Sequence, residues 1–160
     1  MQFKEIHGQE DIKKRLINSV KENRISHAQL FLGGEGTLKL SMAIAYAQYI
    51  SCKNRQKGND EGENDSCGVC PSCQKFSKLV HPDLHFFFPV IRQKKQNHPP
   101  VSDDYIAVWR SLLLDKREII GIQDWNRALE VQNQQPIINA EDCSQILKKL
   151  SVKSYESEYK

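Results

Sequence analysis

Apolar positions recur along the chain in two rhythms. Ile12, Leu16, Ile17 and Val20 fall at helical spacing, which predicts an amphipathic helix over about residues 9–22. Ala28-Gln29-Leu30-Phe31-Leu32 is a short apolar run ending on Gly33-Gly34, the pattern of a buried strand entering a glycine turn. From Leu38 to Ile50 the chain is apolar and alanine-rich, with Ala43, Ala45 and Ala47, as in a packed helix. Leu84 to Val90 reads as a second apolar strand, closed by Pro89, and Ile91 to Pro100 as a basic, polar loop. Tyr105 to Leu114 predicts a helix with Trp109 and the leucines on one face. Asn126 to Gln135 is polar, and Pro136-Ile137-Ile138 is a short extended piece. Asn139 then caps a last helix, about 140–151, with Glu141 and Asp142 in the first turn where the helix dipole favours them.

Composition narrows the setting. The chain has 160 residues, 39% hydrophobic and 27% charged, enough for one domain with a real core. No run approaches the roughly 20 apolar residues of a membrane span, and Met1-Gln2-Phe3-Lys4-Glu5 lacks an apolar signal core. The expectation is a cytoplasmic protein with reduced thiols and no membrane partner. A net charge of +3 is too small to argue for nucleic acid by itself.

In that compartment five cysteines point to metal or catalytic chemistry sooner than to disulfides. Cys67-Gly-Val-Cys70-Pro-Ser-Cys73 sets three thiols at two-residue spacings, with Gly68 in the first turn. Glycine relieves the steric cost of that turn and lets backbone amides face the sulfurs. Zinc takes four ligands in a tetrahedron, and Cys52, at the end of the alanine-rich helix, is the nearest fourth. Lys53 to Ser66 is polar enough to loop out at modest entropic cost. The expectation is one structural zinc ion on Cys52, Cys67, Cys70 and Cys73, with His81 and His85 as reserve ligands. A shell of four thiolates leaves no open position for water, so the site is not catalytic. Cys143, alone in a helical pattern, reads as a half-buried small hydrophobe.

The strand–turn–helix unit has the outline of a phosphate-binding loop, G-x-x-x-x-G-K-[ST]. Gly33, Gly36 and Lys39 give it a glycine-rich turn and a lysine, but Leu38 stands where the second required glycine belongs. Leu40 takes the magnesium-binding hydroxyl position, and Ser41 comes one residue late, about 100° around the helix. Glu35 adds negative charge beside the anion's place. This degenerate loop argues against magnesium-dependent ATP binding. No catalytic constellation is apparent. His27 reads as a satisfied structural residue, Asp83 as a cap or turn, and Asp103-Asp104 as a helix start.

The order of these features resembles the bacterial DNA polymerase III clamp-loader subunits of the AAA+ class. Ile6-His7-Gly8-Gln9, then Arg24-Ile25-Ser26-His27-Ala28-Gln29-Leu30-Phe31-Leu32-Gly33, the loop, the helix ending at Cys52, the cysteine module and His81-Pro82-Asp83-Leu84 all take part. The likeness covers residues 3–90 and resumes from Ile137, where Lys153-Ser154-Tyr155-Glu156 looks like the approach to a Walker B strand. It implies an α/β fold. Residues 1–160 would form an incomplete AAA+ P-loop-type domain, the N-terminal part of a parallel sheet with flanking helices. Residues 52–73 would be an inserted zinc module.

Within the family, the ATPase subunit carries an intact phosphate loop, and the delta-prime type often carries a degraded one. Leu38 and Leu40 make this chain resemble the delta-prime type. That implies no intrinsic ATPase activity and no bound ATP. It implies a stator role in a ring that loads the sliding clamp on primer–template DNA, with the other clamp-loader subunits as partners. The alternative is a gamma/tau-type ATPase subunit with an atypical loop, which Lys39 favours.

The chain also departs from the family. Lys53–Ser66 is long, and residues 93–133 have no counterpart there. Trp109 and Trp125 of that insertion are expected in the core, and Arg92, Lys94 and Lys95 of the basic loop on a solvated face. The resemblance implies an N-terminal piece of a longer protein. In AAA+ sheets of order 5-1-4-3-2, the first and second strands are not neighbours. Open strand edges then lead to an expectation of self-association, element swapping or partial disorder.

Overall fold

The computed structural model describes residues 1–55, 64–92, 97–116, 120–131 and 134–159. It divides into two compact units, residues 1–84 with 156–159, and residues 85–155.

In the first unit a 3-10 turn, Phe3–Glu5, leads into helix α1 (Glu10–Lys21), followed by α2 (Lys39–Ser51) and α3 (Pro71–Ser77). The α1 and α2 ranges agree with the periodicity to within a residue or two. Their core gathers Phe3, Ile6, Ile17, Met42, Ala45, Tyr46 and Tyr49. The small alanines of α2 let α1 and the N-terminal turn approach closely. Burying each large side chain contributes roughly 1.5–3 kcal/mol. Lys13 is buried among them, and its ammonium donates to the Ile6 carbonyl at 2.6 Å and to Glu10 at 2.9 Å. Arg55 closes the other end of α2 by donating to the Tyr49 and Ile50 carbonyls, two of the acceptors a helix C-terminus leaves open.

Helix α3 was not legible as a separate element. It starts on Pro71, whose missing N–H costs nothing in the first turn, and the Cys70 sulfur accepts the Cys73 amide as its cap. Beyond it, His81 is buried against Phe76, with ring centroids 4.6 Å apart. The Asp83 amide donates to its Nδ1 at 3.2 Å, which places the proton of the neutral ring on Nε2. The Asp83 carboxylate accepts the amides of Glu156 at 2.8 Å and Ser157 at 2.9 Å, so Asp83 anchors the chain near its end.

Burial lowers the His81 pKa from its ordinary 6.5, against the opposing pull of Asp83 and Glu156. The folded state thus binds the His81 proton less readily than the unfolded state. The linked stability is present above pH 6.5 and is lost as pH falls from there toward the lowered folded value. The denaturant midpoint is expected to drop between about pH 7.5 and 5, and to drop less in His81→Gln. Parallel curves for the two proteins would contradict this role.

In the second unit a 3-10 turn, Ser102–Tyr105, precedes α4 (Ile106–Lys116), α5 (Ile122–Ala128) and α6 (Ala140–Ser151). The Asp104 carboxylate accepts the Val101 amide at 3.0 Å, which makes this a helix start as the sequence suggested. Helix α5 was not anticipated. Its signal is a Gly-x-x-Asp cap, in which the Gly121 amide donates to Asp124 at 3.0 Å. Phe88, Val90, Ile91, Tyr105, Trp125 and Leu129 form the core, with Phe86 and Trp109 packed on it. Trp125 is buried as expected, and the half-buried Trp109 stacks on Phe88 at 4.5 Å. Arg92 is exposed as expected, whereas Lys94 and Lys95 lie outside the described residues.

The two expected strands do not pair into a parallel sheet. Near the second of them an isolated antiparallel bridge joins Val90 to Ile137, and among the described residues no named strand forms. Residues 28–32 keep the side-chain alternation of a strand. Phe31 packs on the core, while Leu30 and Leu32 are 80% and 82% exposed, without a ladder to complete the element. His27, expected as a satisfied structural residue, is exposed beside them, because no sheet covers this segment.

In residues 88–91 side chains take the place of ladder bonds. Ser102 Oγ accepts the Phe88 amide and donates to the Phe88 carbonyl, both at 3.1 Å. Trp125 Nε1 donates to the Pro89 carbonyl at 2.7 Å, and the Tyr105 hydroxyl donates to that of Ile91 at 2.7 Å. Buried backbone polar groups must be paired, and the 3-10 turn before α4 and helix α5 bring the partners.

Helix α6 begins as expected, with the Asn139 side chain accepting the Asp142 amide at 3.0 Å. Its orientation is the surprise. Asp142 is fully buried and accepts the Ser102 amide at 2.8 Å, which turns the Asp142 face inward. Leu147 and Leu150 are left 71% and 60% exposed, and Cys143, expected half-buried, is exposed too.

Candidate metal centre and phosphate loop

The end of α2 and the start of α3 bring four cysteines together. Cys52 follows the last turn of α2, Cys70 caps α3, Cys73 lies in its first turn, and Cys67 sits on the loop before them. Their sulfurs all lie within 4.8 Å of one another. Cys52 and Cys67 are 3.6 Å apart and Cys67 and Cys73 are 4.0 Å apart. A tetrahedron with metal–sulfur bonds of ~2.3 Å has sulfur–sulfur edges of ~3.8 Å, so the donor set fits one ion. His81 and His85 are outside this group; His81 Nδ1 is already occupied by the Asp83 amide.

Backbone amides converge on the sulfurs. Cys67 N donates to Cys52 at 3.3 Å, Cys70 N to Cys67 at 3.4 Å and Cys73 N to Cys70 at 3.5 Å. Gly68, at φ +74°, makes the turn that aims them. Burial pushes the Cys67 thiol up, but the amides of Cys70 and Val69 and the neighbouring thiols outweigh it and bring it down to about 7. Burial raises Cys52 and Cys73, and for Cys73 the Cys70 thiol adds to the effect. Four thiolates in such a pocket require a cation, and these four residues can hold a metal ion.

The glycine-rich loop lies at the other end of α2. Leu38 caps the helix with φ 55° and ψ 22°, the left-handed conformation that glycine adopts freely. The backbone thus keeps the turn of a phosphate loop while the side chain obstructs it. Lys39 Nζ and Thr37 Oγ1 both donate to the Gly34 carbonyl, at 3.0 and 2.8 Å, so the lysine folds back on its own loop. Gln9 Nε2 holds the Thr37 carbonyl at 2.5 Å. Gly33 and Gly36 are exposed, Leu40 is half-buried, and Ser41 is buried away from the loop face. A cleft of about 450 Å³ beside the loop is lined by Ile12, Arg15, Leu30, Leu32, Thr37 and Lys39, among others.

Sequence reasoning missed the polar residues behind the cysteines. Gln2, Gln48, Asp65 and Ser66 are all buried and mutually bonded. Nothing local marks them, because Gln2 and Ser66 meet only in the folded chain.

A four-cysteine cluster at the end of one helix, able to hold a metal ion, and a phosphate-type loop at its start define a class: a domain of the phosphate-loop type with an added cysteine cluster. The family model for DNA polymerase III, delta subunit, matches residues 8–160, and the chain belongs to that clamp-loader family, of the AAA+ class. It is 37% identical over 78 residues to the DNA polymerase III subunit delta' of Bacillus subtilis, covering 49% of this chain and 22% of that protein. It is 25% identical over 139 residues to the subunit tau/gamma of Haemophilus influenzae, covering 84% of this chain and 19% of the relative. With the subunit gamma/tau of Mycoplasma pneumoniae it shares 30% identity over 142 residues, covering 84% and 19%. The chain therefore spans about a fifth of the length of these relatives. No solved structure matches it. Among the described residues no helix is long and apolar enough to cross a membrane.

Proposed function

We propose that the chain serves in a cytoplasmic DNA polymerase III clamp loader as a non-catalytic subunit of the delta-prime type. It would help place the sliding clamp on primer–template DNA in company with the other subunits. Residues 52–73 form a zinc module in this reading. Four soft thiolates in a tetrahedral set favour zinc, and the closed shell makes it structural. Residues 93–133 are an insertion whose helices build the aromatic core of the second unit. The exposed stripe of Leu147 and Leu150 offers apolar surface for contacts within an assembly or for self-association.

The observation that carries the non-catalytic reading is the loop. Leu38 puts a side chain where the backbone must meet phosphate, Leu40 removes the magnesium hydroxyl, and Lys39 is tied to Gly34. The gamma/tau-type reading is favoured by the left-handed backbone retained at Leu38 beside a lysine, and by the gamma/tau relatives that align over 84% of the chain. Titration with a fluorescent ATP analogue and magnesium separates them. The chain is expected to show no saturable binding at micromolar ligand, and the double variant Leu38→Gly with Leu40→Thr is expected to gain it. Micromolar, magnesium-dependent binding by the unaltered chain overturns the delta-prime reading.

A further inference from the structure

Beside the cysteines lies a buried polar junction that the metal site does not itself require. Asp65, 4% exposed, sits two residues before Cys67. One carboxylate oxygen accepts the Phe3 amide at 3.2 Å and the Ser66 amide at 2.7 Å, and the other accepts the Lys4 amide at 3.0 Å. Gln2 Nε2 donates to the Ser66 carbonyl at 2.5 Å, and Gln48 Nε2 donates to Ser66 Oγ at 3.0 Å. A methyl built on Gly68 would lie 3.0 Å from Gln2 Oε1, so the first turn of the cysteine knuckle rests directly on the Gln2 side chain. The same N-terminal segment delivers Phe3, 1% exposed, to the α1–α2 core against Tyr49.

We infer that Asp65 is a positioning residue that couples occupancy of the metal centre to docking of the N-terminal segment. The inference rests on the metal reading above. With a metal bound, Cys67 is fixed, and residues 65 and 66 are held where they meet the amides of residues 3 and 4. Without it, the loop entering Cys67 loses its anchor, and a buried carboxylate loses the geometry of three charge-assisted bonds. Binding linkage is reciprocal, so a docked N-terminal segment must favour metal by the same factor. Residues that orient ligands from behind typically change metal affinity 10–100-fold when altered.

The test compares the full chain with its Asp65→Asn and Gln2→Ala variants. Zinc affinity is measured by chelator competition, the cobalt-loaded absorption spectrum reports the thiolate geometry, and hydrogen exchange follows the Phe3 and Lys4 amides with and without zinc. The expected result is about a 10-fold or greater loss of zinc affinity in Asp65→Asn, with Gln2→Ala weakening it in the same direction. In the unaltered chain, zinc removal should speed exchange at Phe3 and Lys4 by a comparable factor. In Asp65→Asn those amides should exchange fast in either state while the cobalt spectrum stays tetrahedral. Zinc affinities within twofold in both variants, with Phe3 and Lys4 exchange indifferent to zinc, overturn the coupling and leave the metal site standing. An unaltered chain that binds no zinc at all overturns both.

Discussion

Replacing Cys73 with serine is expected to abolish stoichiometric zinc binding and cooperative unfolding of the first unit. Cys73 is fully buried, and its sulfur lies 4.0 Å from that of Cys67. A serine oxygen is a poor zinc ligand, and it would leave three thiolates around an incomplete shell. Structural zinc in small domains contributes apparent binding free energies of about 10–16 kcal/mol, so losing even part of that exceeds the stability of most domains. Removing zinc from the unaltered chain with a chelator should have the same effect. Cys143→Ser serves as the control, because Cys143 is exposed and outside the cluster. Mass spectrometry of the bound metal and thermal unfolding followed by circular dichroism give the two readings. A zinc content near one per chain in Cys73→Ser, or in Cys67→Ser, would mean that the ligand set is wrong.

The second large effect is expected far from the cysteines, at Trp125. Its ring meets Phe88 at 5.0 Å and Trp109 at 5.1 Å, edge to face in both cases, and its Nε1 holds the Pro89 carbonyl. Trp125→Ala should destabilise the second unit by about 3–5 kcal/mol, combining lost transfer energy with the cavity left behind. Trp125→Phe should cost less, about 1–3 kcal/mol, mainly because the partly buried Pro89 carbonyl loses its donor. Urea unfolding followed by circular dichroism measures both. If Trp125→Phe equals the unaltered protein, the indole-to-carbonyl bond is not what substitutes for a strand partner at this position.

These two sites differ in how far they could be read in advance. The cysteine spacing carries its own chemistry, since three thiols on two-residue spacings cannot avoid one another once the knuckle turns at Gly68. The fourth cysteine, Cys52, was legible as the nearest candidate, and the fold brings it to the other three from the end of α2. Trp125 was legible only as a core residue. Its partner, the Pro89 carbonyl, is 36 residues away in sequence and no local pattern announces it.

The misses share a cause. Residues 28–32 and 84–90 have the apolar content of strands, but a strand exists only through its neighbours. The first of these segments meets no ladder among the described residues, and the second is paired by Ser102, Trp125 and the single bridge to Ile137. Helix α6 was placed correctly from Asn139 onward, because capping is local. Cys143 is exposed where a half-buried place is expected of it, because the buried bond between Asp142 and Ser102 turns another face of the helix inward.

The sequence by itself determined the helices with strong periodicity, the caps, the cysteine cluster and the altered phosphate loop. Each depends on residues close enough in the chain to act on one another directly. Tertiary structure alone decided which face of α6 points inward, which side chains complete the backbone of residues 88–91, and that Gln2, Phe3 and Lys4 meet Asp65 and Ser66 behind the four cysteines. Those outcomes hang on pairings between distant residues, where the free energy of burying and bonding polar groups overrides local preference.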